Sequence, residues 1–128
     1  MKLNKIHHIA IICSNYKKSK DFYVNILGLK IINEIYRKDR DSYKLDLGVC
    51  ENYQIELFSF PQSPKRLSYP ESRGLRHLAF EVDNIDEIIK ELADKNIITE
   101  SIRVDEITKK KFTFFSDPDD LPIELYEK

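Results

Sequence analysis

Four residues stand out for the chemistry they could do together: His8, Glu56, His77 and Glu124. His8 opens the string HIAIICSN (8–15) and His77 opens HLAFEVDN (77–84), while Glu56 and Glu124 each sit in an IEL tripeptide, 55–57 and 123–125. The His-to-Glu interval is 48 residues in the first half of the chain and 47 in the second. Recurrence at such a period marks two copies of one supersecondary unit, and two copies can bring two imidazoles and two carboxylates together. That donor set, mixed N and O without thiolate, suits one divalent first-row ion: Ni²⁺, Co²⁺ or Zn²⁺, with Mn²⁺ or Fe²⁺ also compatible, and water or substrate completing the shell. The strings around the carboxylates, such as YQIELFSF, are otherwise apolar. An enclosed strand face does not carry a charge unless that charge is compensated.

The elements that must position these residues follow from periodicity. Residues 5–13 (KIHHIAIIC) form an apolar, β-branched run of strand length, and 75–82 (LRHLAFEV) repeat it. A helix follows each. In the first, Ser14 or Asn15 can cap, Ser19, Phe22, Tyr23 and Ile26 share a face, and Gly28 supplies the left-handed stop. In the second, Asn84 with Glu87 makes a capping-box pattern, Ile85, Ile88, Ile89 and Leu92 form the buried stripe, and Asn96 can end it. Three strands are expected after each helix, at about 30–38, 42–49 and 53–60, then at about 97–104, 110–116 and 122–127. Each half therefore reads βαβββ, and the expected class is α+β with curved mixed sheets covered on one face. The first module covers about residues 1–60 and the second 75–128 of a single domain. The join at 61–74, PQSPKRLSYPESRG, is rich in Pro, Ser and charge, and reads as a linker or as a flap over a site.

Strand parity assigns side chains to faces. His8, Ala10 and Ile12 share one face and His77, Ala79 and Glu81 share the equivalent one, so the repeat pairs His8 with His77 and leaves His7, which aligns with Arg76, out of the ligand set. Gln54, Glu56, Phe58 and Phe60 fall together, as do Pro122, Glu124 and Tyr126. Phe58, Phe60 and Tyr126 are thus expected as apolar walls beside the carboxylates.

Composition limits the alternatives. A net charge of −1 with acids and bases interspersed offers no footprint for nucleic acid or an acidic membrane. No apolar run approaches a membrane span, and no secretory leader is evident, so a cytoplasmic location is expected. Cys13 and Cys50 are isolated, which suits reduced thiols and small apolar fillers.

At these residues the chain resembles the vicinal-oxygen-chelate superfamily, whose members pair βαβββ modules around a metal, and within it glyoxalase I (lactoylglutathione lyase). The resemblance runs through HHIAIICSNYKKSKDFYVNILGLK (7–30), YQIELFSFP (53–61), GLRHLAFEVDNI (74–85) and FTFFSDPDDLPIELYE (112–127). It is nearest to the short YaeR-like glyoxalase-family proteins, which share ELFSFP, GLRHLAFEVD, IRVDE (102–106) and the DPDDLPIELYE ending. The resemblance implies that His8, Glu56, His77 and Glu124 are the metal shell. It also implies a lyase or isomerase acting on a hemithioacetal, such as that of methylglyoxal, or a similar small carbonyl compound through a metal-stabilised enediolate. Glu124 is then the expected proton-transferring base with Glu56 as the second carboxylate, and the expected assembly is a homodimer.

Two positions depart from that pattern. Glutathione-dependent relatives have an Arg where this chain has Ile12 and an Asn where it has Phe60, which puts glutathione in doubt as the thiol. Arg76 and Lys111 are the candidate substitutes for binding an anionic substrate, with Lys65, Arg66 and Arg73 of the join behind them. Competing readings are an epimerase using the same enolate chemistry, a thiol transferase, and a metal-free drug-binding protein of the same fold.

Overall fold

In a computed structural model, which describes residues 1–128 except for the side chain of Tyr53, each βαβββ string becomes one unit: Met1–Lys65 and Arg66–Lys128. The first unit runs β1 (Ile9–Cys13), α1 (Tyr16–Asp21), β2 (Lys30–Arg37), β3 (Ser42–Val49) and β4 (Asn52–Ser59). The second runs β5 (Leu78–Val82), α2 (Ile85–Asp94), β6 (Arg103–Val104), β7 (Lys111–Ser116) and β8 (Pro122–Glu127). The sheets have strand orders β1-β4-β3-β2 and β5-β8-β7-β6. In both, the first strand lies parallel to the last and the remaining pairs are antiparallel.

The caps form where the side chains offer them. Asn15 accepts from Lys18 N at 3.0 Å, and Asn84 accepts from Asp86 N and Glu87 N at 3.1 and 3.2 Å. Each bond satisfies a backbone donor that a helix start leaves unpaired. The first helix does not end at Asp21 but widens into a π-helical turn, Phe22–Ile26, with Leu27 N bonded to Phe22 O. That turn buries Phe22 and Tyr23, and Gly28 at φ 75° stops it. Asn96 ends the second helix at φ 61°, its N–H on Ala93 O and that of Ile97 on Leu92 O.

Each core lies between a sheet and its helix. Ile11, Cys13, Leu45, Leu47, Ile55 and Leu57 are buried with Phe22 and Tyr23 in the first unit, and Thr113, Phe115, Ile123 and Leu125 with Ile85 and Leu92 in the second. Burying side chains of this size contributes about 1.5–3 kcal/mol each. Alternate residues on the same strands, including Ala10, Ile12 and Ala79, are exposed on the opposite face. That second face carries the candidate ligands.

Three strands are shorter than the sequence suggests. The expected strand at 97–104 shrinks to Arg103–Val104, because residues 97–102 hold to β7 through single bonds (Glu100 N to Phe114 O, Thr113 Oγ1 to Glu100 O) and not through a ladder. The strands expected from residues 5 and 75 begin only at Ile9 and Leu78, where β4 and β8 supply partners. His8 and His77 each stand one residue ahead of a strand.

Candidate metal centre

The two registers are the same. Ala10 lies opposite Glu56 across β1 and β4, and Ala79 lies opposite Glu124 across β5 and β8. Each histidine is two residues before its alanine and so meets the glutamate diagonally over a methyl group, which leaves the imidazole room. His8 Nε2 is 3.6 Å from Glu56 Oε2, and His77 Nε2 is 2.9 Å from Glu124 Oε2. Both carboxylates are largely covered, at 13 % and 12 % side-chain exposure, while the imidazoles remain 38 % and 29 % exposed.

These spacings fit a shared ion. Imidazole nitrogen and carboxylate oxygen bound to one ion at roughly 2.0–2.2 Å, subtending roughly 90–110°, stand roughly 2.9–3.5 Å apart. The second pair falls within that range and the first just beyond it. Among the described residues no group of three or more His, Cys, Asp or Glu converges, so the donors come as one His and one Glu per unit.

The surroundings of the pairs differ. In the first unit Asp46 lies opposite Glu56 across β3 and β4, and Lys44 Nζ reaches both Asp46 Oδ1 (2.5 Å) and Glu56 Oε1 (3.0 Å). His7 Nδ1 is 2.8 Å from His8 Nδ1, so the residue left out of the ligand set touches a candidate ligand. In the second unit the residue opposite Glu124 is Phe114, whose ring meets the His77 ring edge to face at 5.2 Å. His77 Nδ1 is buried with no hydrogen-bond partner among the described residues, so packing on Phe114 orients this imidazole.

His77 and Glu124 open into a cavity of about 430 Å³ within the second unit, a size that suits a small-molecule site. Phe112, Phe114 and Arg103 line it on the sheet side, and Arg66–Tyr69, Glu71, Ser72 and Arg76 on the loop side. The loop is pinned. Arg66 donates to Leu75 O (2.6 Å) and Arg76 O (3.0 Å) just before His77, and Ser68 Oγ donates to Asp120 O (2.6 Å) just before β8. The segment from Arg66 onward therefore forms a wall of the cavity and ties together the chain entries to His77 and Glu124.

The remaining expected site residues are distributed as follows. Phe58 and Phe60 stack at 5.8 Å on the Glu56 side of the first sheet, with the Arg37 guanidinium over both. Tyr126 stacks on Phe112 at 6.5 Å, and its hydroxyl bonds Thr108 and Asp105, closing the 105–109 turn. Arg76 lines the cavity and pairs with Glu71 at 3.4 Å. Lys111 shares the Thr113 and Phe115 side of β7 and pairs with Asp86 of α2 at 2.7 Å, which holds its ammonium above the usual lysine pKa. It points to the helix side, away from Glu124. Sequence reasoning missed Lys44 and Asp46, which register and contact place beside Glu56, and Arg37 and Arg103, which lie over the aromatic pairs of their sheets.

A fold of paired βαβββ units bearing a His–Glu pair on each sheet is the architecture of a known superfamily. The sequence model of the Glyoxalase/Bleomycin resistance protein/Dioxygenase superfamily matches residues 5–125, and the chain belongs to it. It is 59 % identical over 128 residues to YwkD of Bacillus subtilis, covering 100 % of both chains. To YaeR of Escherichia coli it is 56 % identical over 126 residues, covering 98 % of each. The solved structure of a glyoxalase family protein from Enterococcus faecalis superposes with a TM-score of 0.89 at 49 % identity, covering 99 % of this chain and 100 % of that one. More distant similarity extends to a methylmalonyl-CoA epimerase of Dictyostelium discoideum (29 % over 99 residues; 74 % of this chain, 59 % of that protein) and the metallothiol transferase FosB of Staphylococcus saprophyticus (29 % over 126 residues; 97 % and 77 %). Among the described residues no helix is long and apolar enough to cross a membrane.

Proposed function

We propose that the protein is a metal-dependent lyase or isomerase of the glyoxalase I type, acting on a hemithioacetal or a similar small carbonyl substrate. The observation that carries this reading is the His–Glu pair repeated in register on both sheets, at 2.9 Å in the second unit and 3.6 Å in the first. His8, Glu56, His77 and Glu124 would hold one divalent ion, Ni²⁺, Co²⁺ or Zn²⁺. When bound, that ion supplies Lewis acidity toward two vicinal substrate oxygens.

The chain's own residues do the rest. Glu124 is the base: it takes the proton from the carbon α to the carbonyl and returns it to the neighbouring carbon. Glu56 is the holding carboxylate, because Lys44 occupies its second oxygen. Phe112 and Phe114 wall the cavity against water, which strengthens electrostatic interactions inside it. The tests are calorimetric titration with each of the three ions, then turnover of methylglyoxal against a panel of thiols. Stoichiometric uptake with a rise in melting temperature, and metal-dependent thioester formation, are expected. A protein that binds none of the ions belongs instead with the drug-binding members of the superfamily; uptake without thioester formation directs the search to epimerase and thiol-transferase substrates.

A further inference from the structure

The Arg103 guanidinium carbon lies 5.0 Å from the ring centre of Phe112 and 5.3 Å from that of Phe114. The His77 ring is itself 5.2 Å from Phe114, so the two steps through that ring bound the imidazole-to-guanidinium separation at about 10.5 Å. All four side chains line the same cavity as Glu124. Of the other cavity arginines, Arg66 is engaged with the Leu75 and Arg76 carbonyls, and Arg76 makes a surface pair with Glu71 at 3.4 Å; Arg103 is the one laid on Phe112 and Phe114. Arg103 has one ion-pair partner, Glu100 at 2.8 Å, and both side chains are about half exposed. Such a surface pair is worth little, and a guanidinium has five N–H donors, so capacity remains for a second planar anion. The arrangement recurs independently in the first unit, where Arg37 lies 4.9 and 5.5 Å from Phe58 and Phe60 and its buried Nε has no hydrogen-bond partner among the described residues.

We propose that Arg103, laid across Phe112 and Phe114, reads an anionic end of the substrate, and that the substrate class is a small vicinal-oxygen compound carrying its own carboxylate. This rests on the metal-site reading above. The aromatic pair fixes the plane of the guanidinium, and a fork held in that way receives a carboxylate edge-on through two parallel N–H donors. With imidazole and guanidinium at most about 10.5 Å apart, a compound whose two ends are joined by a short spacer can reach both.

The probes are the monohydroxamates of succinic, glutaric and adipic acid. Their hydroxamate offers two vicinal oxygens, and each is compared with the counterpart that ends in an amide. Affinities are measured by calorimetry on Co²⁺-loaded full-length protein. At least one carboxylate-ended probe is expected to bind tenfold or more tightly than its amide counterpart, about 1.4 kcal/mol. Arg103→Gln should reduce that ratio to about one, and Arg103→Lys, which keeps the charge without the fork, should leave an intermediate value. A ratio near one across the series in the parent protein, or a tenfold preference that survives Arg103→Gln, overturns the assignment while leaving the metal reading intact. If no hydroxamate binds the Co²⁺-loaded protein, this inference falls while the metal reading stands on the uptake seen in loading; if the protein takes up no Co²⁺, the metal reading fails and this inference with it.

Discussion

Glu56 and Glu124 occupy the same register position yet have different neighbours, and the roles proposed for them rest on that difference. One oxygen of Glu56 is held by Lys44, whereas Glu124 faces a phenylalanine and an open cavity. At saturating metal, Glu124→Gln should therefore lose on the order of 10²-fold or more in kcat, the usual scale for a general base, and Glu56→Gln should lose less. Single-turnover kinetics on both variants decide; the reverse order would exchange the roles. Alanine at His8, Glu56, His77 or Glu124 should each weaken ion binding in a titration. His7→Ala should cost less than His8→Ala, about 10- to 100-fold at most, because it removes only the partner of His8 Nδ1. The four candidate ligands were legible in the sequence because they recur in matching strings. Lys44 and Asp46 have no counterpart in the second half, where Phe112 and Phe114 stand, and only the Asp46–Glu56 pairing gives them meaning. Lys111 misled for the complementary reason: its charge was visible, but the face it occupies depends on where β7 begins.

At the scale of elements, helix starts were readable because a cap is a local event, settled within four residues. Asn84→Ala should destabilise the protein by about 1 kcal/mol in denaturant unfolding, since it strands the Asp86 and Glu87 amides. Strand ends were less readable, because a strand lasts only as long as its partner does. The residue run at 97–104 had the right composition, yet most of it lacks a ladder. The contact between α1 and β2 gives a pH-dependent test. Lys20, 2.6 Å away, and then Tyr16 by its hydroxyl hold the Glu34 carboxyl below its ordinary pKa. A carboxylate whose pKa is depressed on folding stabilises the protein above its unfolded pKa, and the contribution disappears as pH falls through the folded value. Glu34→Gln should thus lower the melting temperature at pH 7, and the difference from the parent should shrink as pH falls below the ordinary carboxylate range and vanish below the folded pKa. A difference that persists in acid would mean packing, not charge, is responsible.

At the scale of the whole molecule, mixing decides whether the proposed ligand shell is built within one chain or between two copies. A His8→Ala/Glu56→Ala double variant keeps only the second pair, and a His77→Ala/Glu124→Ala variant keeps only the first. Neither should bind an ion tightly alone. If sites are shared between copies, refolding equal amounts of the two regenerates one complete site of two in each mixed pair, and with about half of the pairs mixed the capacity recovers to about a quarter of the parental value. No recovery, despite mixed assembly shown by native mass spectrometry, would mean each shell is built within one chain. The parallel pairing of β1 with β4 and of β5 with β8 has a further consequence, for the order of events during synthesis. In each unit the strand made first must wait, unpaired on one edge, for the strand made last. His8 emerges from the ribosome 48 residues before Glu56, and His77 emerges 47 residues before Glu124. Closing so long a loop is slow compared with forming a hairpin such as β3–β4. Each His–Glu pair is therefore assembled only when its unit is completed, and capture of the proposed ion would follow tertiary closure instead of guiding it.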